Sequence, residues 1–257
     1  MSEPTCLLRK DRDGATLVLT LDYTARRNAL SMPLRTALIG AFEEAEADPA
    51  IRAVVITGAG GYFCAGGDIS GMNSPDLAAG RQRFAITHRL VRLMIRARLP
   101  ILAAVEGFAV GAGLSLALCC DTIIAAEDAR FGAGFNRIGL IADLGLNHTL
   151  PARIGQGRAR QILLYPDQLG AAAAERIGLI DHVVAKGTAL DAALQRARHF
   201  HTAAPLPIAM TRSLLAEGLD QALDRELDLQ SALFLTADHA EGREAFLARR
   251  SPVFRGV

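Results

Sequence analysis

Two glycine-rich turns, each placed directly after a run of apolar residues, are the first candidates for chemistry in this chain. The turn at 58–61 follows the apolar run at 52–57, and the turn at 107–113 follows the run at 101–105. Backbone N–H groups at such a turn, above all those that open a helix, can stabilise negative charge without any side chain. Two of them aimed at one carbonyl oxygen would form an oxyanion hole, in which each donor is worth roughly 3–4 kcal/mol. The pattern therefore favours acyl-group chemistry through an oxyanion or an enolate.

The same glycines are also compatible with other kinds of turn. Neither segment carries the third glycine of a dinucleotide-binding fingerprint, and neither continues into the Gly-Lys-Ser/Thr of a P-loop. The sequence GLSLA around Ser115 is close to the nucleophile elbow of serine hydrolases, and Asp143 followed by His148 or His182 would complete the required order. A serine hydrolase and a purely structural pair of tight turns therefore stay open as alternatives.

The elements that must position these turns alternate between strand and helix patterns in the first two-thirds of the chain. Strands are predicted at 15–21, 52–57, 101–105 and 122–126, and helices at 32–47 with Ser31 as N-cap, at 76–98 and at 114–120. After about residue 155 the patterns are mostly helical, at 171–177, 189–202, 208–217, 219–236 and 239–249. The expectation is an α/β fold with a core at 1–200 and a helical region at 201–257.

The composition excludes several classes of protein. The chain has 257 residues, of which 51% are hydrophobic and 21% charged, so it can bury a large core and is not expected to be disordered. A formal net charge of +1 and the absence of Trp argue against a nucleic-acid partner. No metal site and no disulfide framework are expected, because the spacing of the cysteines fits neither. The cysteines are Cys6, Cys64, Cys119 and Cys120.

Membrane insertion and secretion are not expected either. The longest uncharged apolar stretch, 107–120, is shorter than the roughly 18 residues that suggest a membrane span. The segment 1–12 carries charges and lacks the apolar centre of a signal peptide. We therefore expect a cytoplasmic protein without a membrane partner.

Four segments together resemble the crotonase (enoyl-CoA hydratase/isomerase) superfamily. The sequence FCAGGDI at 63–69 resembles its Phe-Cys-Ala-Gly-x-Asp-Leu/Ile segment, and GFAVGAGL at 107–114 resembles its second glycine segment. NAL at 28–30 and RRSPVF at 249–254 are also similar to the family, so the resemblance covers nearly the whole chain. It implies a crotonase-like α/β fold of stacked ββα units with a helical C-terminal trimerisation region. The implied assembly is a homotrimer or a dimer of trimers.

The resemblance also implies roles for backbone groups. Carried over position by position, the N–H groups of Gly67 and Ala112 are the two oxyanion donors. The residues that border the adenine end of coenzyme A are Ala65, Gly67, Asp68 and Ile69. Asp68 is also expected to make turn hydrogen bonds. The implied substrate is an acyl-coenzyme A thioester, and no tightly bound cofactor is implied.

Basic residues for the coenzyme A phosphates are suggested by the same resemblance. Arg27 occupies the family's basic position before the asparagine, and Arg26 lies next to it. Arg249 belongs to the C-terminal motif and would act from a neighbouring subunit. Arginine is frequent in this chain, whereas lysine occurs only at Lys10 and Lys186. Each of the three arginines is therefore equally compatible with a solvated surface charge.

The chain departs from the hydratase pattern at both acidic positions. Hydratases of the family hold and activate water with two glutamates, and this chain has Ser115 and, at about the second position, Phe135. A serine hydroxyl at its ordinary pKa is not a competent base, and phenylalanine carries no proton to transfer. Ordinary addition of water is therefore not expected.

One carboxylate does occupy a catalytic position of the family. Asp143, at the end of FNRIGLIAD, stands where certain isomerases of the superfamily have their catalytic aspartate, and this segment especially resembles the ring-epoxide isomerase branch of phenylacetyl-CoA degradation. One base that removes a proton and returns it elsewhere is enough for a 1,3-proton shift. Apolar neighbours should raise the pKa of Asp143 by desolvation. These neighbours are Ile138, Leu140, Ile141 and Leu144. The alternative is that Asp143 caps a helix that begins near Leu144.

The sequence thus predicts an acyl-CoA isomerase in which Gly67 and Ala112 stabilise a thioester enolate and Asp143 moves the proton. An enoyl-CoA hydratase that holds water by another group and a non-catalytic acyl-CoA-binding protein are the alternatives. The acyl pocket is expected to be walled by residues 72–84 and by the C-terminal helices. His88 and His148 could line the same pocket, although a lone histidine on a helix is more often structural.

Overall fold

The computed structural model describes residues 7–257 of the chain, so Cys6 and the first half of the charged N-terminal segment lie outside the described residues. The strands are β1 Leu8–Asp13, β2 Thr16–Leu21, β3 Ala53–Gly58, β4 Ile101–Val105, β5 Phe108–Val110, β6 Thr122–Ala126, β7 Arg130–Gly132, β8 Leu169–Gly170 and β9 His182–Val184. The helices are α1 Met32–Ala47, α2 Leu77–Ile95, α3 Ala112–Leu118, α4 Leu146–Leu164, α5 Ala171–Arg176, α6 Ala189–Ala197, α7 His199–Thr202, α8 Pro205–Leu215, α9 Leu219–Leu233 and α10 Ala237–Ala248.

Six strands form the main sheet, in the order β1-β2-β3-β4-β6-β9. β1 and β2 form an antiparallel hairpin that turns at Gly14, whose φ of 61° suits a glycine. The other neighbouring strands are parallel, and helical segments cross over between them, as parallel pairs require. The carboxyl ends of β3 and β4 therefore lie side by side, and the two glycine-rich turns follow at the same edge of the sheet.

A second, three-stranded sheet with the order β5-β7-β8 lies next to these turns. β5 pairs in parallel with β7, and an isolated bridge joins Cys64 to Ala109 of β5. Another isolated bridge joins Leu30 to Gly67. The segment that follows β3 is therefore held between β5 and the residues that lead into α1.

The two faces of the main sheet bury different sets of side chains. On β3, Val54 and Ile56 belong to the large hydrophobic core, whereas Ala53 and Val55 pack against α6. The inward-facing residues of α6 are alanines, which allow this helix to lie close to the sheet. Because both faces are covered, β3 has a continuous apolar sequence instead of an alternating one.

The elements predicted for the first two-thirds of the chain are confirmed, with small shifts at their ends. The strands at 101–105 and 122–126 have the predicted bounds, and Ser31 caps α1 by accepting a hydrogen bond from Leu34 N–H at 3.3 Å. The helix predicted at 76–98 is α2, which ends at Ile95 with Arg96 as its C-cap residue, before the chain reaches Pro100. The helix predicted at 189–202 is divided into α6 and α7. The sequence does not predict β1, whose residues are charged and mostly exposed, nor the strands of two or three residues.

Helices α8, α9 and α10 form the C-terminal region, and α9 packs against α2. Arg212 of α8 is buried, forms an ion pair with Asp121, and donates through Nε to the carbonyl oxygen of Ala97 at 2.9 Å. The exposed large apolar side chains of this region are Leu206, Met210, Leu214, Leu215, Leu229, Leu235, Phe246, Leu247, Val253, Phe254 and Val257. The C-terminal region therefore joins the core through buried polar contacts and presents apolar side chains at its surface.

Membrane-spanning helices and metal-binding clusters are absent from the described residues. No helix within 7–257 is long and apolar enough to cross a membrane. In the same part of the chain, no three or more His, Cys, Asp or Glu side chains are grouped so that they could hold a metal ion. Cys64, Cys119 and Cys120 are buried free thiols, and burial raises the pKa of Cys64 to about 11.

Candidate active site

Gly67 and Ala112 face each other at the edge of the main sheet. A Cβ atom built on Gly67 would lie 4.0 Å from the Cβ of Ala112, so the two residues meet across the gap between their segments. Neither backbone N–H donates a hydrogen bond to another group of residues 7–257. Two residues whose amides are unpaired within the described part of the chain therefore lie next to each other.

Backbone hydrogen bonds fix the segment that carries the first donor. Cys64 N–H donates to the carbonyl oxygen of Phe108 at 2.8 Å, and Leu30 N–H donates to that of Gly66 at 2.8 Å. Gly66 has a φ of 118°, a conformation that residues with a side chain rarely adopt. This turn at Gly66 sets the direction of the next peptide group, which carries the N–H of Gly67.

The second donor opens helix α3. Gly111, with a φ of 55°, turns the chain from β5 into the helix, and its own N–H donates to the carbonyl oxygen of Gly132 at 2.8 Å. Ala112 is the first helical residue, so its N–H has no partner in the helix and carries partial positive charge. A Cβ on Gly113 would lie 2.3 Å from the carbonyl oxygen of Cys64, so only glycine allows the two segments to approach this closely.

Asp143 lies in the loop that leads into α4. Its side chain is 4% exposed, and its Oδ1 atom has no hydrogen-bond partner in the described part of the chain. The end of α3 packs on this loop, since the Cys119 thiol donates to the carbonyl oxygen of Leu144 at 3.7 Å. Helix α4 begins at Leu146 with Gly145 as its N-cap residue and without a side-chain cap. The alternative that Asp143 caps this helix is therefore wrong.

Burial controls the charge of Asp143. Desolvation raises the pKa of its carboxyl group to about 6 against the opposing effect of the Arg35 charge, and the negative charge of Glu226 adds to the increase. The positive charge of Arg83 also opposes the shift without cancelling it. At neutral pH the group is a carboxylate with a pKa not far below the surrounding pH, which suits a general base.

Two arginines interact electrostatically both with Asp143 and with the segment at 64–68, which includes the Gly67 amide. Arg35 interacts electrostatically with Asp143 and with Cys64. Arg83 interacts with Asp143 and with Asp68. Both guanidinium groups are therefore electrostatically coupled to the Asp143 carboxylate and to the segment at 64–68.

The sequence does not predict the residues that hold the Asp143 loop. Glu226 of α9 is 4% exposed and accepts hydrogen bonds from Gly145 N–H and from the Nε2 atom of His88, both at 2.9 Å. His88 of α2 is 2% exposed, so it is a buried partner of Glu226 and not a free group in the pocket. A single acidic residue in a helical pattern carries no motif, and only the packing of α9 on α2 identifies it.

Met72 and His239 form a wall next to the first donor. A Cβ on Gly67 would lie 2.2 Å from the terminal methyl carbon of Met72, so the thioether covers this residue. His239 of α10 is buried, with Nδ1 2.8 Å from the carbonyl oxygen of Ile138 and Nε2 3.1 Å from that of Met72. The C-terminal helices therefore contribute buried polar side chains on both sides of the site.

The arginines that the resemblance suggests for coenzyme A are at the surface. Arg26 and Arg27 are exposed, and the Arg27 guanidinium lies 5.7 Å from the centre of the Tyr62 ring. Arg249 is also exposed and forms the C-cap of α10 with a φ of 54°. No described contact joins Arg249 to the other two arginines.

The suggested adenine-binding segment lies next to Arg27. Ala65, Asp68 and Ile69 are partly exposed, and Ala65 N–H donates to the carbonyl oxygen of Arg27 at 3.0 Å. Asp68 Oδ1 accepts hydrogen bonds from the N–H of Ser70 at 3.1 Å and from its hydroxyl at 2.6 Å. Asp68 thus stabilises the turn that follows Gly67.

Ser115 and His148 do not form a nucleophile and its base. The hydroxyl of Ser115 donates to the carbonyl oxygen of Gly111 at 3.3 Å, and no histidine is bonded to it in residues 7–257. The His148 ring lies beside Gly218, where an added Cβ would be 3.7 Å from Cε1. The serine hydrolase alternative has no support in this geometry. Phe135, at the second glutamate position, is a buried apolar residue.

The first glycine turn, at 58–61, has a different role from the one predicted. The side-chain amide of Asn28 donates to the carbonyl oxygens of Ala59 at 2.9 Å and of Tyr62 at 2.7 Å. Asn28 also accepts from Tyr23 N–H at 2.9 Å. The turn therefore fixes the segment before α1, and the donor that faces Ala112 comes from Gly67 further along the chain.

Comparisons with known proteins agree over almost the full length. A family model described as enoyl-CoA hydratase/isomerase matches residues 11–257. The 1,2-epoxyphenylacetyl-CoA isomerase of Escherichia coli (strain K12) is 37% identical over 254 residues, which cover 95% of this chain and 96% of the relative. The 2,3-dehydroadipyl-CoA hydratase of the same organism is 35% identical over 254 residues, which cover 95% and 97%. A solved structure of an enoyl-CoA hydratase from Mycobacterium avium subsp. paratuberculosis K-10 has a TM-score of 0.88 at 32% identity and covers 98% of this chain and 100% of that chain.

The chain belongs to the enoyl-CoA hydratase/isomerase family of the crotonase superfamily. The crotonase-like α/β fold with a helical C-terminal region is confirmed by the solved structures. A relative named as an isomerase and a relative named as a hydratase have nearly the same identity to this chain. Family membership therefore identifies an enzyme of this class, and the chemistry of the site must decide between the two reactions.

Proposed function

We propose that this protein is an acyl-CoA isomerase that moves a proton through a thioester enolate. The observation that carries the proposal is the state of Asp143, a buried carboxylate whose Oδ1 atom has no partner within residues 7–257 and whose pKa is raised to about 6. In this proposal it acts in one site with the amides of Gly67 and Ala112, which is supported by the contact of α3, the helix that Ala112 begins, with the Asp143 loop through Cys119 and Leu144. The similarity to a relative named 1,2-epoxyphenylacetyl-CoA isomerase supports the proposal.

The mechanism uses one base and two hydrogen-bond donors. The thioester oxygen accepts hydrogen bonds from Gly67 N–H and Ala112 N–H, which makes the protons next to the conjugated system more acidic. Asp143 takes one of these protons, and the negative charge of the resulting enolate is stabilised at the oxygen, where each donor contributes roughly 3–4 kcal/mol. Asp143 then returns the proton to a different carbon, so the base is regenerated and nothing is oxidised or reduced.

Coenzyme A is the proposed carrier of the acyl group, with no tightly bound cofactor. Its adenine end would lie along the backbone from Ala65 to Ile69, and its phosphates near Arg26 and Arg27, with Arg249 supplied by a neighbouring subunit. The exposed apolar side chains of the C-terminal helices support assembly as a homotrimer or a dimer of trimers. The division into a core at 1–200 and a helical region at 201–257 is part of this proposal.

Proton exchange and isomerisation of a 3-enoyl-CoA test the proposal directly. In deuterated water, nuclear magnetic resonance should detect both exchange at the acidic carbon and appearance of the 2-enoyl product. Asp143→Asn should lower both rates by about 10²–10⁴. Asp167→Asn, at an exposed aspartate, is the matched control and should leave them unchanged. If the Asp143→Asn protein isomerises as fast as the wild type, Asp143 is not the base.

An enoyl-CoA hydratase is the second candidate. The relative named 2,3-dehydroadipyl-CoA hydratase favours it, whereas Ser115 and Phe135 at the glutamate positions oppose it. Hydration of crotonyl-CoA at a rate typical of enzymes would support the hydratase. Tight binding of acyl-CoA thioesters with neither exchange nor turnover would instead support the non-catalytic acyl-CoA-binding alternative.

A further inference from the structure

A buried arginine lies next to the proposed base. Arg35 of α1 is 1% exposed and is one of the largest fully buried side chains of the protein. Its Nε atom donates to the carbonyl oxygen of Leu30, which pairs with Gly67 in an isolated bridge, so the guanidinium group lies next to the segment that carries the Gly67 amide. The charge of Asp143 also acts on it. Burial lowers the pKa of Arg35, but arginine stays charged because its ordinary pKa is above about 12. The site therefore contains a permanent buried positive charge.

Within the described residues, only some of the N–H donors of this guanidinium group have hydrogen-bond acceptors. Its Nη1 atom donates to the hydroxyl oxygen of Thr87, and its Nε atom donates to the carbonyl oxygen of Leu30 at 3.4 Å. Thr87 is itself held in place by donating to the carbonyl oxygen of Arg83 at 3.0 Å. The remaining nitrogen, Nη2, has no hydrogen-bond partner in the described part of the chain. An unpaired charged donor in the interior is costly, and it therefore points to a ligand group that completes it.

Neither of the nearby carboxylates takes up this donor. Glu226 is already bonded to the His88 ring and to Gly145 N–H. Asp143 has the opposite charge, but its Oδ1 atom is also without a partner, so these two atoms do not bond to each other. Nη2 of Arg35 and Oδ1 of Asp143 are two of three such buried side-chain atoms in residues 7–257. The buried interior thus contains one unpaired donor and one unpaired acceptor on electrostatically coupled side chains.

We infer that Arg35 binds an oxygen atom of the acyl group, so that the substrates are acyl-CoA thioesters whose acyl part carries a hydrogen-bond-accepting oxygen. This inference rests on the proposed function, because it needs a thioester at the Gly67 and Ala112 amides with its acyl group directed towards Asp143. Nη2 donates to the acyl oxygen while Thr87 keeps the guanidinium plane fixed. A hydrocarbon acyl group would leave Nη2 unpaired and would cover a charge with apolar surface, so it binds less well.

The acyl oxygen can belong to a neutral group, such as an ether, epoxide or carbonyl, or to a carboxylate. Both accept a charge-assisted hydrogen bond from a guanidinium group, and the planar fork of arginine suits both. A purely electrostatic role of Arg35, as the counter-charge of Asp143, would be different, because it would affect all acyl groups alike. Selectivity between acyl groups is therefore the property that separates the two roles.

Binding of paired acyl-CoA ligands to the intact protein tests the inference. Calorimetry compares hexanoyl-CoA with three analogues in which oxygen replaces the methylene group at position 3, 4 or 5, and with glutaryl-CoA, which carries a carboxylate. Each ligand is measured with the wild type, with Arg35→Met, and with Arg35→Lys, which keeps the charge and loses the planar fork. For at least one oxygenated ligand, Arg35→Met should weaken binding roughly tenfold to hundredfold more than it weakens hexanoyl-CoA binding. The ligand that responds distinguishes a neutral oxygen from a carboxylate.

Equal losses for hexanoyl-CoA and for every oxygenated ligand would overturn the inference and leave Arg35 as a counter-charge only. If thermal melts show that Arg35→Met does not fold, Thr87→Val gives the same comparison, because it removes the acceptor that fixes the guanidinium group. A Thr87→Val protein that loses no selectivity overturns the inference as well. These binding measurements involve no turnover, so they are independent of the isomerase test. A protein that prefers oxygenated ligands but catalyses no proton exchange would contradict only the proposed isomerase. A protein that catalyses proton exchange without this preference would contradict only the role of Arg35.

Discussion

Replacing Asp143 with asparagine should stabilise the folded protein while removing its proposed base. Desolvation raises the pKa of this carboxyl group to about 6 in the folded state, whereas an aspartate in an unfolded chain has a pKa of about 3.9. The folded state therefore binds this proton more tightly than the unfolded state does. Protonated Asp143 therefore contributes to the free energy of unfolding. This contribution is fully present below about pH 3.9, and it is lost as the pH rises through about 6.

The size of the effect follows from this difference of about 2 pKa units. Each unit corresponds to about 1.4 kcal/mol, so ionised Asp143 lowers the free energy of unfolding by about 3 kcal/mol at neutral pH and above. Roughly half of this loss is present at about pH 5, and the other half appears between about pH 5 and pH 8. Asparagine has nearly the same shape and no charge, so the stability advantage of Asp143→Asn over the wild type should grow by that amount.

Urea denaturation followed by circular dichroism measures this growth, at one fixed protein concentration because subunit assembly also contributes to stability. The wild type, Asp143→Asn and the exposed control Asp167→Asn are compared at several pH values across this range. The control should show no growing advantage, because an exposed carboxylate is not desolvated. A stability difference between Asp143→Asn and the wild type that stays constant or shrinks as the pH rises would refute the reasoning.

Three further changes test the site and its supports. Gly113→Ala would place a Cβ 2.3 Å from the backbone carbonyl oxygen of Cys64. This clash should push the segment with the Gly67 amide away from α3, so kcat should fall about 10²-fold. Gly40→Ala, where nothing lies within 4 Å of the added carbon, is the matched control and should leave kcat unchanged while stabilising α1 by roughly 0.5–1 kcal/mol. Glu226→Gln removes a negative charge that raises the pKa of Asp143, so the midpoint of the pH–rate profile should move to lower pH, and an unmoved midpoint would exclude this coupling. Arg212→Met removes a buried arginine that forms an ion pair with Asp121, whose side chain is 37% exposed, and should lower the free energy of unfolding in urea by about 2 kcal/mol; a loss below about 1 kcal/mol would show that the pair is solvated.

The secondary structure of the main sheet could be predicted where a segment is buried on both faces. The runs at 101–105 and 122–126 are short, apolar and bounded by glycine, proline or charged residues, and both are strands with the predicted bounds. β1 could not be predicted, because its charged residues are compatible with a strand only at an exposed sheet edge paired with β2. The strands of β5, β7 and β8 are too short to show a period, and they exist because their neighbours supply hydrogen bonds.

The candidate site was partly accessible from sequence. The resemblance to the crotonase superfamily singles out Asp143, and the apolar residues around it in the sequence give a direction for its pKa. Arg35 could not, because an arginine in a helical pattern is usually a solvated charge, and only its burial beside Thr87 shows otherwise. Glu226 could not either, because its role depends on the packing of α9 against the loop before α4.

The amino-acid sequence by itself determined the α/β alternation, the glycine positions that permit close backbone approach, and the residue types that can carry charge or a proton. These are local properties, since they depend on periodicity, on allowed φ and ψ angles, and on side-chain chemistry. Only the tertiary structure decided which of those groups are desolvated, which are paired, and which meet across elements far apart in the chain. Desolvation and pairing depend on what packs around a group, and that packing joins residues whose separation in sequence carries no signal.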